Sequence, residues 1–193
     1  MALNIGKHQP PPTKMNMQEV KEDLLKLERP IIVLSGSVDA EMYSTVSKSL
    51  LYLTSKGSPD IEVYIDSGGG STESGLYIHE AFRLYKGRKR GIVMSKAGSI
   101  VAVILQVFDE RCCAKYASVL VHYAKVEIDY GELNDEKSLE KVRERLRPFQ
   151  LKLNRILMKK TGLSGSALAK ICRRDEYMNA EEALAKGFID EIV

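Results

Sequence analysis

Short apolar runs alternate with amphipathic segments along the first two thirds of the chain. Four of the runs are rich in β-branched residues and predict strands: 31–34, 61–65, 92–94 and 118–123. The segments between them have apolar residues at helical spacing and predict helices: 41–56, about 71–85, and one that starts near Ser99. Strand, glycine turn and helix, repeated three times, predict right-handed βαβ crossovers. We therefore expect an α/β fold with a largely parallel sheet.

The N-terminal segment has a different composition. Pro10, Pro11 and Pro12 cannot enter a helix or a central strand, and apolar residues are few there. Residues 1–15 are therefore predicted to be a flexible arm, and 16–193 to form a single domain. A short amphipathic helix is expected to follow the arm and to end before Pro30.

A long amphipathic segment, residues 133–160, lies outside the alternation of strands and helices. Its apolar residues recur at three- and four-residue steps and form one stripe: Leu139, Val142, Leu146, Phe149, Leu153, Ile156 and Leu157. The spacing predicts a long helix that ends at Gly162 and is kinked at Pro148. The stripe could pack on the protein's own sheet or against another molecule, and periodicity alone leaves both open.

Composition excludes several classes of protein. The 193 residues are 44% hydrophobic, enough for one domain with a core. The net charge is only +3, and the short basic clusters at 87–90 and 173–174 are typical of solvated turns, so we expect no nucleic-acid partner. No apolar run reaches the roughly 20 residues that span a bilayer, and no secretory signal is visible. Three cysteines without disulfide or zinc-site spacing favour buried thiols in a reducing cytoplasm.

A glycine turn follows the second predicted strand. Gly68, Gly69 and Gly70 let the backbone turn tightly and point N–H groups outward at a helix N-terminus. Such a turn can hold a phosphate or stabilise an oxyanion. The lysine of a Walker loop is absent, and the dinucleotide fingerprint does not fit. Since most glycine turns are purely conformational, this one carries little weight by itself.

Three polar residues are candidates for chemistry, and each has an ordinary alternative. Ser99 follows a small-residue turn and opens an apolar helix, where its Oγ could lie near backbone donors or could simply cap the helix. His122 ends an apolar strand, where a lone histidine is more often a satisfied core residue than a base. Asp175 lies near the C-terminus and could form a surface ion pair with Arg174.

The order and spacing of these motifs resemble the ClpP peptidase family over residues 24–193. The matches are Ser67-Gly68-Gly69-Gly70 for the family's Ser-Pro-Gly-Gly turn, Gly98-Ser99-Ile100 for its Ala-Ser-Met nucleophile turn, and Leu120-Val121-His122 for its strand ending in Met-Ile-His. The stretch 161–190 looks like the family's C-terminal signature. Residues 126–160 fall where that family has a handle helix joining two rings.

This resemblance implies a fold and a chemistry. The fold would be the ClpP/crotonase-like α/β fold, with repeated β-β-α and βαβ units plus the handle. Ser99 would be the nucleophile of a serine endopeptidase, His122 its general base, and Asp175 the partner of that base. Backbone N–H groups of Gly70 and Ile100 would form the oxyanion hole. No metal and no other cofactor would be needed.

The resemblance also implies partners. Two stacked heptameric rings of the same chain would enclose unfolded polypeptide substrates. An AAA+ unfoldase of the ClpX, ClpA or ClpC type would feed those substrates, docking in apolar clefts at Tyr64 and Leu84. The particle would be cytoplasmic and would not bind a membrane.

The chain departs from the family pattern close to the expected site, which indicates an atypical member. Gly68 replaces a proline, Ser95 replaces a glycine, Lys96 adds a cation, and Tyr123-Ala124 replaces Gln-Pro. Two other functions stay open: a non-catalytic ring subunit, and a signal-peptide-peptidase-like serine hydrolase of the same superfamily with Lys96 as base. An acyl-CoA hydratase would need a pocket for which the sequence gives no support.

Overall fold

The computed structural model describes residues 22–125, 131, 135–175 and 177–193. The strands in these ranges are β1 (Ile31–Val38), β2 (Ile61–Gly70), β3 (Lys89–Gly98), β4 (Glu110–Cys113), β5 (Ser118–Leu120), β6 (Tyr177–Asn179) and β7 (Glu191–Ile192). Helices of five or more residues there are α1 (Ala40–Ser55), α2 (Thr72–Leu84), α3 (Ile100–Ile104), α4 (Glu136–Thr161), α5 (Gly165–Arg174) and α6 (Ala180–Ala185). The short predicted helix before Pro30 is helical at 22–24 and then turns, and the predicted arm, 1–15, lies outside the described residues.

The seven strands form one sheet in the order β1-β2-β3-β4-β7, with every neighbouring pair parallel. The sheet branches at β3. Its first part, Arg90 to Val93, pairs with β4, whereas its last part, Lys96 to Gly98, pairs with β5. Only β6, which pairs with β5, runs antiparallel within the described part of the chain. The predicted α/β class with a largely parallel sheet is therefore confirmed.

The observed strands differ from the predicted ones in length and number. β1 continues past the predicted end at residue 34, through a bulge at Gly36, to Val38, and it lies at an edge of the described sheet with one face exposed. β4, β6 and β7 were not predicted because they are only two to four residues long and show no clear alternation. The fourth predicted strand ends at Leu120, so His122 lies beyond it in an extended segment.

The core lies on the helix-covered side of the sheet. Alternate residues of β2 are buried there, and the wholly apolar α3 is buried throughout. α2 packs against both α1 and α3. The close approach of α2 to α3 requires glycine at position 75, because a Cβ there would collide with the Ile100 side chain. This packing fixes the start of α3, directly after Ser99.

The long predicted helix is present as α4, capped by Asp135 and ended by Gly162 with φ 73°. Pro148 lies inside it, and the predicted start at residue 133 lies outside the described residues. The C-terminal half of its apolar stripe packs on α3 and the following turn through Leu153 and Leu157, which are buried. Phe149, by contrast, is 36% exposed. Val142 in the first half of the stripe is also buried, so the stripe is largely covered and leaves apolar surface chiefly at Phe149.

Two predictions from composition meet the structure directly. Cys112, Cys113 and Cys172 are free and buried, which confirms the expected buried thiols. The expected solvated turn at 87–90 is wrong for Lys89, which begins β3, is buried, and forms an ion pair with Asp109 at 3.3 Å. Of the helices in the described ranges, none has the length and apolar character that crossing a bilayer requires.

Candidate active site

Strand register brings three chain segments together at the carboxyl end of β3. Ala97 is paired with Ser67 of β2 on one side, and Gly98 with Leu120 of β5 on the other. The Ser99 N–H donates to the Leu120 carbonyl at 2.9 Å, so the pairing extends one residue past the strand. The turn at Ser99 therefore lies between the glycine end of β2 and the segment that carries His122.

Ser99 has an unusual backbone conformation, with φ 56° and ψ −123°. A positive φ in a residue other than glycine costs about 1–3 kcal/mol and is maintained only where the surroundings enforce it. A strained serine between a strand and a helix is typical of nucleophile turns, because it exposes Oγ.

The ordinary alternative for Ser99, a helix cap, does not fit the structure. Ser71 and Ser164 occupy the cap position of α2 and α5, and each accepts a hydrogen bond at 3.2 Å from a backbone N–H of its helix. Ser99 has the same position on α3, but its side chain makes no capping bond. Its hydroxyl is therefore not used to stabilise the helix.

The glycine turn is fitted closely around Ser99. Gly69 has φ 113°, and a Cβ on it would lie 2.7 Å from the Ser99 Cβ. The fully buried Ser67 holds this turn in place. Its hydroxyl donates to the Gly36 carbonyl at 2.5 Å and accepts from the Gly69 N–H at 3.2 Å. Ser67 is a positioning residue that sequence reasoning quoted within a motif but gave no role.

Four of the predicted site residues line one cleft of about 140 Å³: Gly70, Ser99, Ile100 and His122. Four apolar residues, Val103, Val121, Leu153 and Leu157, also line this cleft. The Ile100 N–H belongs to the first residue of α3 and so has no acceptor within the helix. The cleft thus combines a hydroxyl, an imidazole and a backbone donor in one place.

His122 is half-buried and lies at the cleft rather than in the core. Its Nδ1 is 2.6 Å from the Tyr123 carbonyl oxygen. Because a carbonyl oxygen only accepts, the neutral imidazole in this position has its hydrogen on Nδ1 and an acceptor at Nε2. That tautomer is the one a general base needs. Among the described residues, no hydrogen bond joins His122 to Ser99 or to Asp175.

Asp175 caps the C-terminus of α5 with a left-handed backbone, φ 52°. Its partner is Lys125, whose Nζ donates to Oδ2 at 2.5 Å, rather than the neighbouring Arg174. The hydrogen bond from Lys125, and then the charges of Lys125 and His122, lower the pKa of the Asp175 carboxyl. Lys125 lines the same cleft as Ser99 and His122. The structure thus places Gly70, Ser99, Ile100 and His122 in one cleft, whereas Asp175 is bonded to Lys125.

Sequence reasoning missed two residues that fix this region. Lys125 is one, and the other is Gln150 of α4, whose Oε1 accepts from the Ala124 N–H at 2.8 Å and ties the segment after His122 to the long helix. Both contacts join residues at least 26 positions apart. No local pattern reports such contacts, because they depend on how the helices pack.

The remaining candidates lie elsewhere. Lys96 is exposed, and its Cε is 4.0 Å from the position that a Cβ on Gly68 would take. The Tyr64 hydroxyl donates to Glu62 Oε2 at 3.0 Å, so a carboxylate, rather than an apolar side chain, lies next to this hydroxyl. Leu84 ends α2 and is 64% exposed. A docking role for Tyr64 and Leu84 stays a prediction.

Known proteins with similar sequences agree with the architecture around this cleft. A family model described as Clp protease matches residues 13–193. Over 166 residues the chain is 31% identical to proteins named ATP-dependent Clp protease proteolytic subunit from Streptococcus pyogenes (strains Manfredo and NZ131) and Streptococcus equi subsp. equi (strain 4047). Each match covers 84% of this chain and 84% of the relative. With the parallel sheet, the glycine turn and the strained serine at its edge, these matches show that the chain belongs to the Clp protease family.

Proposed function

We propose that this protein is a serine endopeptidase in which Ser99 is the nucleophile and His122 the general base. One observation carries the proposal: Ser99 is held at positive φ with its hydroxyl not used as a cap, in the same cleft as a histidine whose Nε2 is an acceptor. Membership of the Clp protease family supports the same reaction class.

The proposed reaction follows from these positions. Ser99 Oγ attacks the peptide carbonyl while His122 Nε2 takes its proton, which then passes to the leaving amine. The backbone N–H groups of Gly70 and Ile100 stabilise the oxyanion, and removal of one such donor typically lowers the rate about 10²–10³-fold. Asp175 orients His122 and stabilises the imidazolium when the two residues meet. Water then hydrolyses the acyl-enzyme.

Two observations favour this reaction over the alternatives. His122 lines the cleft of Ser99, whereas Lys96 is exposed and lies beside Gly68 at the start of the glycine turn, which supports histidine over lysine as base. A non-catalytic ring subunit would have no use for a strained backbone at Ser99, since a relaxed serine would cap α3 and stabilise the protein.

A fluorophosphonate probe tests the assignment. The wild-type protein, Ser99→Ala and Ser95→Ala are compared for labelling and for hydrolysis of short fluorogenic peptides. Ser95 is an exposed serine of β3, four residues before Ser99, and serves as the matched control. We expect Ser99→Ala to lose labelling and peptide hydrolysis while Ser95→Ala keeps both. Hydrolysis by Ser99→Ala well above the residual left by binding and the oxyanion hole would refute the role of Ser99. An assembled wild-type protein that does not label would indicate a scaffold subunit.

We also propose that the protein works as a homo-oligomer, two stacked heptameric rings, with unfolded polypeptides delivered by an AAA+ unfoldase. Support comes from the names of the relatives, which include "ATP-dependent" and "subunit", and from the apolar surface left at Phe149 on α4. An isolated particle of this kind should cleave short peptides and spare a stably folded protein. Degradation of that folded protein without ATP would contradict the compartment.

A further inference from the structure

Lys125 is close to both of the residues that are expected to assist Ser99, namely His122 and Asp175. It comes three positions after His122, lines the cleft that contains Ser99, and donates to Asp175 across 50 positions of sequence. Its side chain is 67% exposed and is held at the cleft by this ion pair. His122 Nδ1, which would otherwise donate to Asp175, donates instead to the Tyr123 carbonyl. His122 and Asp175 are therefore bonded to Tyr123 and Lys125, respectively, instead of to each other.

The physical chemistry of the two donors explains this arrangement. A hydrogen bond from an ammonium to a carboxylate is charge-assisted and is roughly twice as strong as one between neutral groups. Lys125 is therefore the better partner for Asp175 while His122 is neutral. That advantage of Lys125 is lost when His122 becomes protonated, because an imidazolium is also a cationic donor and gains more from a carboxylate than from the neutral carbonyl of Tyr123.

We propose that Lys125 is a positioning residue that competes with His122 for Asp175 and so limits the activity of Ser99. While Lys125 binds Asp175, the Tyr123 carbonyl fixes the tautomer of His122 but supplies no negative charge to the imidazolium. When Lys125 leaves, Asp175 can pair with His122. This inference rests on the proposed peptidase function, and its test is designed so that the two can fail separately.

Three variants isolate the charge of Lys125. Lys125→Met removes the ammonium and keeps much of the stem, Lys125→Arg keeps the charge, and Lys170→Met removes an exposed lysine from α5, the helix that ends at Asp175. For hydrolysis of a short peptide we expect Lys125→Met to raise kcat at least tenfold with KM changed less than threefold. Lys125→Arg keeps a cation beside Asp175 and should not raise kcat, whereas Lys170→Met should stay within threefold of wild type in both constants.

Asp175→Asn, made with and without Lys125→Met, completes the cycle. Loss of a working triad aspartate lowers kcat about 10⁴-fold. We expect less than a tenfold loss in the wild-type background, where Asp175 is bound to Lys125, and at least a 10³-fold loss in the Lys125→Met background. Equal losses in both backgrounds, or a Lys125→Met protein as active as wild type, would overturn the competition while leaving the peptidase assignment intact. Absence of Ser99 labelling in every variant would instead remove the peptidase function and this inference with it.

Discussion

Replacing Gly69 with alanine tests how closely the glycine turn is fitted to the nucleophile. A Cβ at this position would lie 2.7 Å from the Ser99 Cβ and 3.0 Å from the Gly98 carbonyl oxygen. Carbon atoms pack at about 3.5–4.0 Å, so the two segments would have to separate by about 1 Å. The φ of 113° adds strain, because L-residues rarely adopt that region.

The expected effects follow from that displacement. Misplacing a catalytic group by about 1 Å can cost about 10²-fold in rate, and we expect this loss in the fluorophosphonate labelling of Ser99. Backbone strain and overpacking together should lower the free energy of unfolding by about 2–4 kcal/mol. Labelling rates are measured on protein shown to be folded by circular dichroism, and stability by urea unfolding.

Gly68→Ala is the matched control in the same turn. Its φ lies outside the left-handed region, and its new Cβ would meet only the flexible end of Lys96, at 4.0 Å. We expect labelling within about threefold of wild type and unchanged or slightly higher stability. The reasoning fails if Gly69→Ala is folded and labels Ser99 as fast as Gly68→Ala, because the turn would then yield without moving the nucleophile.

Two further predictions concern stability and assembly. Arg111 is buried and donates to Asp190 at 2.9 and 2.5 Å, but the Asp190 side chain is 45% exposed and solvent screens the pair, so Asp190→Asn should destabilise the protein by about 1–2 kcal/mol in urea unfolding at pH 7. Hydrogen bonds from Arg111 lower the pKa of the Asp190 carboxyl below its ordinary value of 3.8. The stabilisation that ionised Asp190 gives the folded protein is therefore present above pH 3.8 and is lost as the pH falls through the lower pKa of the folded state. A destabilisation by Asp190→Asn that does not shrink in acid would contradict this. For assembly, Leu146→Asp with Phe149→Asp should split stacked rings into single rings in light scattering, because charges would enter an apolar contact; a wild-type monomer would refute the stacking.

The elements that could be predicted from sequence are those whose pattern is local. The first three predicted strands and the long helix appear because β-branched runs and a helical stripe report burial on one face. β4 could not be predicted, because its sequence contains Glu110 and Arg111 and its pairing is decided by β3 and β7. The extension of β2 through its glycines likewise depends on pairing with β1, which sequence patterns do not report.

For the candidate site, too, the sequence could predict the positions that follow from strand order but not the contacts between distant segments. Gly70 ends β2, while Ser99 and His122 follow the carboxyl ends of β3 and β5, and parallel strands place such ends at one edge of the sheet. The backbone strain at Ser99 could not be predicted, because it comes from Gly69 on one side and the bond to Leu120 on the other. The pairing of Asp175 with Lys125 had no local signal either, since only side chains join those two segments.

The branch in the sheet places Ser99 and the two other predicted triad residues in different settings. β4 leaves β3 at Val93 and β5 joins it at Lys96, so the last residues of β3 pair with β2 on one side and β5 on the other. Ser99 directly follows this paired segment and is tied to Leu120 by its own N–H. His122 lies two residues past the end of β5, and Asp175 lies past the end of α5, where each is held by single hydrogen bonds to Tyr123 and Lys125. Neither of those two bonds involves a residue of the sheet. Control of activity is therefore expected in the segments after β5 and α5, and the nucleophile turn itself should stay the same whichever residue holds Asp175.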